Sequence, residues 1–239
     1  MQRTPNSSLL VIVFVAIVSH PYSAWAGLPE ARTAFERGDF ASSAAECRKL
    51  ALAGDIESQT MLGMVLVQGL GIPKNIAEGR SWLERAANAG TGASSAKAQH
   101  NLGVMYENGI GIPRDSKKAA GWYLRAAENG DVSAQSNIGT MYLNGEGIER
   151  NPAKGVQWLT KAAQQGDPEA YSNLGRVYFE GHGTAKNLAL SYFFLYMAVN
   201  HSGREVTNAR SNLEVVTSKL TPSQLAEGRR LVQEALKGR

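Results

Sequence analysis

The sequence predicts an all-α solenoid of stacked helical hairpins with helical caps at both ends. Three series of residues carry that reading. Glycine pairs one residue apart recur as Gly69 and Gly71, Gly109 and Gly111, Gly145 and Gly147, and Gly181 and Gly183. A single glycine recurs as Gly63, Gly103, Gly139 and Gly175, and a bulky aromatic as Trp82, Trp122, Trp158 and Phe194. All three series advance by 40, 36 and 36 residues. A period in this range is architecture before it is chemistry, because one hairpin cannot bury its apolar face alone and neighbours must stack. The longer first step comes from four extra residues within GTGASSAK, residues 90–97, which predicts a longer loop between the first and second units.

At the N-terminus, Arg3 precedes an unbroken apolar run of ten, residues 9–18, and small residues stand at Ala24 and Ala26. A basic start, an apolar core too short to span a bilayer and a small-residue site form a secretory signal pattern over residues 1–26. Cleavage is expected after Ala26, with an uncleaved anchor as the alternative. The residue directly after that site is Gly27 and not cysteine, which argues against a bacterial lipoprotein. No second long apolar run follows either. The mature chain is therefore expected to be exported, periplasmic or secreted, and without stable membrane insertion. Its one cysteine, Cys47, has no partner in the chain, so packing must hold the fold. Cys47 reads as a small core residue, with an intermolecular bridge as the alternative.

Residues 27–54 read as a capping hairpin that turns at Gly38 and Asp39. Residues 55–201 hold four units of two helices each. In the second unit Ala98, Leu102, Met105 and Tyr106 form one apolar helical stripe. Gly109 and Gly111 permit positive φ and turn the chain. That rules against a phosphate loop in ENGIGIPRD, which has neither a third glycine at dinucleotide spacing nor Gly-Lys before Ser or Thr. Asp115 falls where an N-cap belongs, with equivalents Asn75, Asn151 and Asn187; Pro152 follows at the first helical position. The second helix carries Ala119, Trp122 and Ala126 on one face, Gly130 ends it, and Asp131 opens the next. The interior glycine Gly103 and its equivalents each cost about 1 kcal/mol relative to alanine. They mark a close approach, with the bulky Trp or Tyr of the partner helix as the expected neighbour. In residues 202–239, Val206, Ala209, Leu213, Val216 and Leu220 form a stripe. TPSQ, residues 221–224, is then a capping box opening a last helix to about Lys237. About twelve helices follow in all.

The units AQHNLGVMYENGIGIPRDSKKAAGWYLRAAENG and AQSNIGTMYLNGEGIERNPAKGVQWLTKAAQQG resemble the Sel1-like repeat, a relative of the tetratricopeptide repeat. The first unit has Leu66 in the tyrosine position. The fourth has Phe194 for tryptophan and lacks the closing A-A-x-x-G. The resemblance implies a right-handed superhelix whose concave surface is lined by the first helix of each unit. It implies an adaptor or scaffold binding another protein or peptide, in envelope signalling, polysaccharide production or host contact. Cysteine-rich relatives, described as penicillin-binding or β-lactam-hydrolysing, carry paired cysteines in each repeat. This chain has none, which disfavours the alternative of a cell-wall or β-lactam-directed hydrolase.

No enzymatic constellation stands out. The mature chain's histidines, His100, His182 and His201, have no metal-ligand spacing, and no cofactor is expected. Residues 201–239 hold seven Lys or Arg against four Asp or Glu, a charge of +3, while the rest of the mature chain balances 17 against 17. A charge of +3 on two helices without an aromatic does not describe a nucleic-acid surface. The candidate partner-binding residues lie on the first helices. One register row is Met61, Asn101, Asn137, Asn173; a second is Met64, Val104, Thr140, Arg176; a third is Val67, Glu107, Leu143, Phe179. Lys97 and His100 stand just before Asn101. Asparagine is a poor helix former, so three in register need a reason. Their amides either hold a peptide main chain or fasten neighbouring helices.

Overall fold

The computed structural model describes residues 27–200, 206 and 208–237. The signal pattern in residues 1–26 and His201 lie outside the described residues. Among the described residues there are twelve α-helices and no strand: α1 (Leu28–Glu36), α2 (Phe40–Leu52), α3 (Ile56–Gln68), α4 (Ile76–Asn88), α5 (Ala93–Asn108), α6 (Ser116–Glu128), α7 (Val132–Asn144), α8 (Pro152–Gln164), α9 (Pro168–Glu180), α10 (Leu188–Asn200), α11 (Ala209–Lys219) and α12 (Pro222–Lys237). The pairs α3/α4, α5/α6, α7/α8 and α9/α10 pack as hairpins. Each hairpin rests on the next through its second helix, α4 on α5, α6 on α7 and α8 on α9. At the ends α2 packs on α3, and α11 and α12 pack on α10. This is an α-solenoid.

Local chemistry fixes the helix boundaries. Asp39, Asp55, Asp131 and Asp167 each accept a backbone N–H three residues on, at the starts of α2, α3, α7 and α9. Asn75, Asp115, Asn151 and Asn187 do the same at α4, α6, α8 and α10. A carboxylate or amide there satisfies a donor that the helix itself leaves open. Thr221 and Gln224 exchange the two reciprocal bonds of a capping box before α12. The second glycine of each turn sits on the preceding unit. At Gly147, with φ +68°, an added Cβ would lie 2.0 Å from the Ser116 carbonyl oxygen.

The interior glycines meet a different neighbour from the one expected at three of four positions. A Cβ on Gly139 would lie 2.8 Å from Leu159 Cγ and 3.1 Å from the Gly155 carbonyl oxygen. Gly63 meets Leu83, Gly175 meets Leu195, and only Gly103 meets an aromatic, Tyr123. In every unit the neighbour is the residue after the periodic aromatic. Successive residues on a helix point about 100° apart, so both cannot face one glycine. The aromatic turns backward instead. Trp122 packs on the cluster of Leu83, Ala86 and Leu102, and Trp158 on that of Tyr123, Ala127 and Ile138. Its outer face is covered by a cation one turn on: Arg85 over Trp82, Arg125 over Trp122 and Lys161 over Trp158, at 4.7, 4.7 and 4.2 Å.

A buried polar relay, unforeseen in the sequence, runs beside this core. Gln59, Gln99 and Gln135 follow the same 40 and 36 steps. Their Nε2 groups donate to the carbonyls of Ala51, Ala87 and Ala127, each at the end of the preceding second helix. Asn129 and Gln165 in turn donate to Gln99 and Gln135. Cys47 is buried, and burial pushes its thiol up to about 11, which suits a packing residue rather than a reactive one.

Candidate partner-binding surface

The first helices α3, α5, α7 and α9 carry the three predicted rows. In the first row the amides are already engaged. Asn101 Nδ2 donates to the Lys97 carbonyl of its own helix at 2.9 Å. Asn137 Nδ2 lies 3.3 Å from His100 Nε2, and Asn173 Nδ2 donates to Thr140 Oγ1 at 3.2 Å. Two of the three asparagines thus fasten α7 to α5 and α9 to α7.

The second and third rows are mixed. Val104, Thr140 and Arg176 are half-buried, and the Arg176 guanidinium lies 3.9 Å from Glu180. Thr140 Oγ1 donates to the Ser136 carbonyl. Glu107 accepts the Tyr123 hydroxyl at 2.6 Å. Leu143 points inward: it is 6% exposed and packs against Gly155. Phe179 is half-buried under two ammonium groups, Lys186 at 5.3 Å and Lys219 at 5.1 Å from the ring centre. His182 is exposed, with its ring 3.0 Å from Glu180.

His100 is buried, with its ring centre 5.6 Å from that of Tyr123. Burial holds its pKa below the ordinary value; the carboxylates Asp131, Glu107 and Asp167 oppose that shift and Lys97 adds to it. A neutral ring fits the contact with Asn137, whose amide N–H needs an acceptor at Nε2.

The four extra residues between the first two units lengthen a helix as well as a loop. α5 has 16 residues where α3, α7 and α9 have 13. Ser95, at the position of the capping Asp55 and Asp131, therefore lies inside α5. Alanine, serine and lysine in ASSAKA continue a helix without obstruction once Gly92, at φ +124°, has turned the chain.

This extra turn forms one wall of a hollow of about 570 Å³ between the starts of α3, α5 and α7. Met61 and Met64 lie on its α3 side with Thr60, whose hydroxyl donates to the Ile56 and Ser94 carbonyls. Lys97 lines it from α5, and Asp131 and Val132 from α7. Arg32, from α1, closes the edge by binding Glu57 through two bonds of 2.6 Å. Asp131 accepts the Ala134 N–H at 2.7 Å. Of these lining residues Met61, Met64 and Lys97 stand among the sequence-derived rows and candidates, and Asp131 was read only as the start of a helix. The signal for the rest was the 40-residue step, which marks an irregular junction but not its shape. Among the described residues no group of three or more His, Cys, Asp or Glu is placed to hold a metal ion. Nor is any described helix long and apolar enough to cross a membrane.

Comparison with known proteins places this geometry in a family. The Sel1 repeat model matches residues 56–91, 96–131, 132–167 and 168–202. Among solved structures, a Sel1 repeat protein from Oxalobacter formigenes is 27% identical, with a TM-score of 0.68 over 87% of this chain and 86% of that one. The fold is shared with c5321, a protective antigen of uropathogenic Escherichia coli with an SLR fold. That match has 23% identity and a TM-score of 0.53, over 88% of this chain and 52% of that one, so this chain spans about half of its length. It is shared too with the immunity protein Pa5087 of Pseudomonas aeruginosa, at 13% identity and a TM-score of 0.52 over 89% and 84% of the two chains. No curated protein matches the sequence. The four repeat matches cover more than half of the chain, which therefore belongs to the Sel1 repeat family, whose members are generally protein-interaction scaffolds.

Proposed function

We propose that this protein is an exported, non-catalytic adaptor that binds a partner protein or peptide along the faces of α3, α5, α7 and α9. One observation carries the reading. Successive first helices present half-buried side chains of alternating character, Val104, Thr140, Arg176 and Phe179, beside a hollow at the first-unit end. Such a surface suits an extended or helical segment held by several modest contacts. Export rests on Arg3, the apolar run and the small residues before Gly27. Envelope signalling, polysaccharide production and host contact are the settings in which such an adaptor acts.

The test is affinity capture from the native envelope with the wild-type chain and with Arg176→Glu and Phe179→Ala. Both variants should lose the captured protein while melting within a few degrees of wild type. Capture unchanged in both would move the binding surface elsewhere. N-terminal sequencing should give Gly27; Met1 retained on a membrane-bound chain would refute export of a processed protein.

A further inference from the structure

We propose that the hollow at the starts of α3, α5 and α7 recognises an acidic side chain, Asp or Glu, flanked by an apolar residue, in a peptide lying along the first helices. The inference rests on the adaptor reading and specifies the partner's chemistry at one end of the surface.

The charges in the hollow are not equivalent. Arg32 and Glu57 neutralise each other through two short bonds. Asp131 is committed to the first turn of α7. Lys97 remains. It is half-buried, and no hydrogen bond or ion pair to its ammonium group occurs among the described residues. Asp131 and Glu57 act on it at longer range, and burial still holds its pKa below the ordinary lysine value. A half-desolvated ammonium without a counter-ion gains most from an incoming carboxylate. Beside it Ala93 and Val132 present accessible apolar surface, with Met61 and Met64 buried behind them, which favours a flanking apolar side chain.

Continuity favours a side chain over a chain end. Met61 and Met64 are the first-unit members of the Asn101 and Val104 rows, and Lys97 stands one helical turn before Asn101. A chain on the first helices thus reaches the hollow without having to stop there. A volume of about 570 Å³ suits two or three residues rather than a whole domain.

Three peptides test this against the full-length protein, by amide chemical shifts at millimolar concentration: acetyl-Leu-Glu-Leu-amide, acetyl-Leu-Gln-Leu-amide and acetyl-Leu-Gln-Leu with a free carboxylate. The glutamate peptide should shift residues 93–97 and 131–133, and bind about fivefold tighter than its glutamine twin. In Lys97→Met, which keeps length and apolar volume, that preference should fall to about one, with the melting temperature unchanged or higher. Equal binding of the two amidated peptides, shifts confined to other residues, a preference that survives Lys97→Met, or no binding at all would each overturn the proposal. Binding of the free-carboxylate peptide alone would overturn it too, in favour of a chain terminus. If the peptides fail while the wild-type chain still captures an envelope protein, only the pocket assignment falls. If the wild-type chain captures nothing, the adaptor reading falls.

Discussion

Asn129 Nδ2 donates to Gln99 Oε1 at 3.0 Å, and one unit later Gln165 donates to Gln135 at 2.8 Å. Each bond completes a glutamine whose other end holds the last turn of the preceding hairpin. The first unit lacks the outer member. Residue 89, in the register of Asn129 and Gln165, is alanine, and Gln59 Oε1 is buried with no hydrogen-bond partner.

Ala89→Asn should supply the missing donor. Ala89 has φ −74° and ψ −6°, close to the −84° and 9° of Asn129, so the backbone already suits the substitution. The gain should be about 1 kcal/mol, a rise of about 2–4 °C in melting temperature. Calorimetry of the single variant checks it. Asn129→Ala should do the reverse, stranding Gln99 Oε1 at about 1–3 kcal/mol.

Gly139→Leu should overpack the α7/α8 pair, because Leu159 and the Gly155 carbonyl already occupy the space. Such insertions cost about 1–3 kcal/mol, and more where backbone must move. Units of a solenoid contact only their neighbours, so the damage should centre on residues 132–165. Hydrogen exchange should show protection lost there first. Uniform loss along the chain would argue for a single cooperative unit.

The asparagine row should split. Asn137→Ala and Asn173→Ala remove links between helices and should lower stability by about 1 kcal/mol each. Asn101→Ala removes only a bond within its own helix and supplies a better helix former, so its melting temperature should hold or rise slightly. Equal losses in all three, measured in one melting series, would contradict this division.

Acid should weaken the fold through His100. Its folded pKa is depressed below the ordinary 6.5, so between those two values the unfolded chain binds more protons than the folded one. Stability therefore rises with pH across that window. It is fully present above about 6.5 and lost as pH falls through the folded value. Melting curves at intervals from pH 7 to 5 should show a steeper loss in the wild type than in His100→Gln, whose amide can still pair with Asn137. Parallel curves would exclude His100 as the source.

The sequence by itself determined the period, the helices and most of their ends. These are local matters. An aspartate or asparagine caps the helix it precedes, and a glycine at φ near +70° turns the chain whatever lies beyond it. Asp115, Gly109 and the 36-residue step could therefore be read without coordinates. Tertiary structure decided what no local rule contains. Leu159 rather than Trp158 meets Gly139, because the rotation of each helix about its axis is set by packing on two neighbours at once. Asn137 is tied to His100, 37 residues away, and Leu143 turned into the core, though both share rows with half-exposed residues. The hollow around Lys97 arose because four extra residues fed an added turn of α5 and not the loop alone. That choice depends on where α3 and α7 stand. The physical reason is one of range: capping and turn geometry act within about four residues, whereas a cavity is what remains after three separate helices have packed.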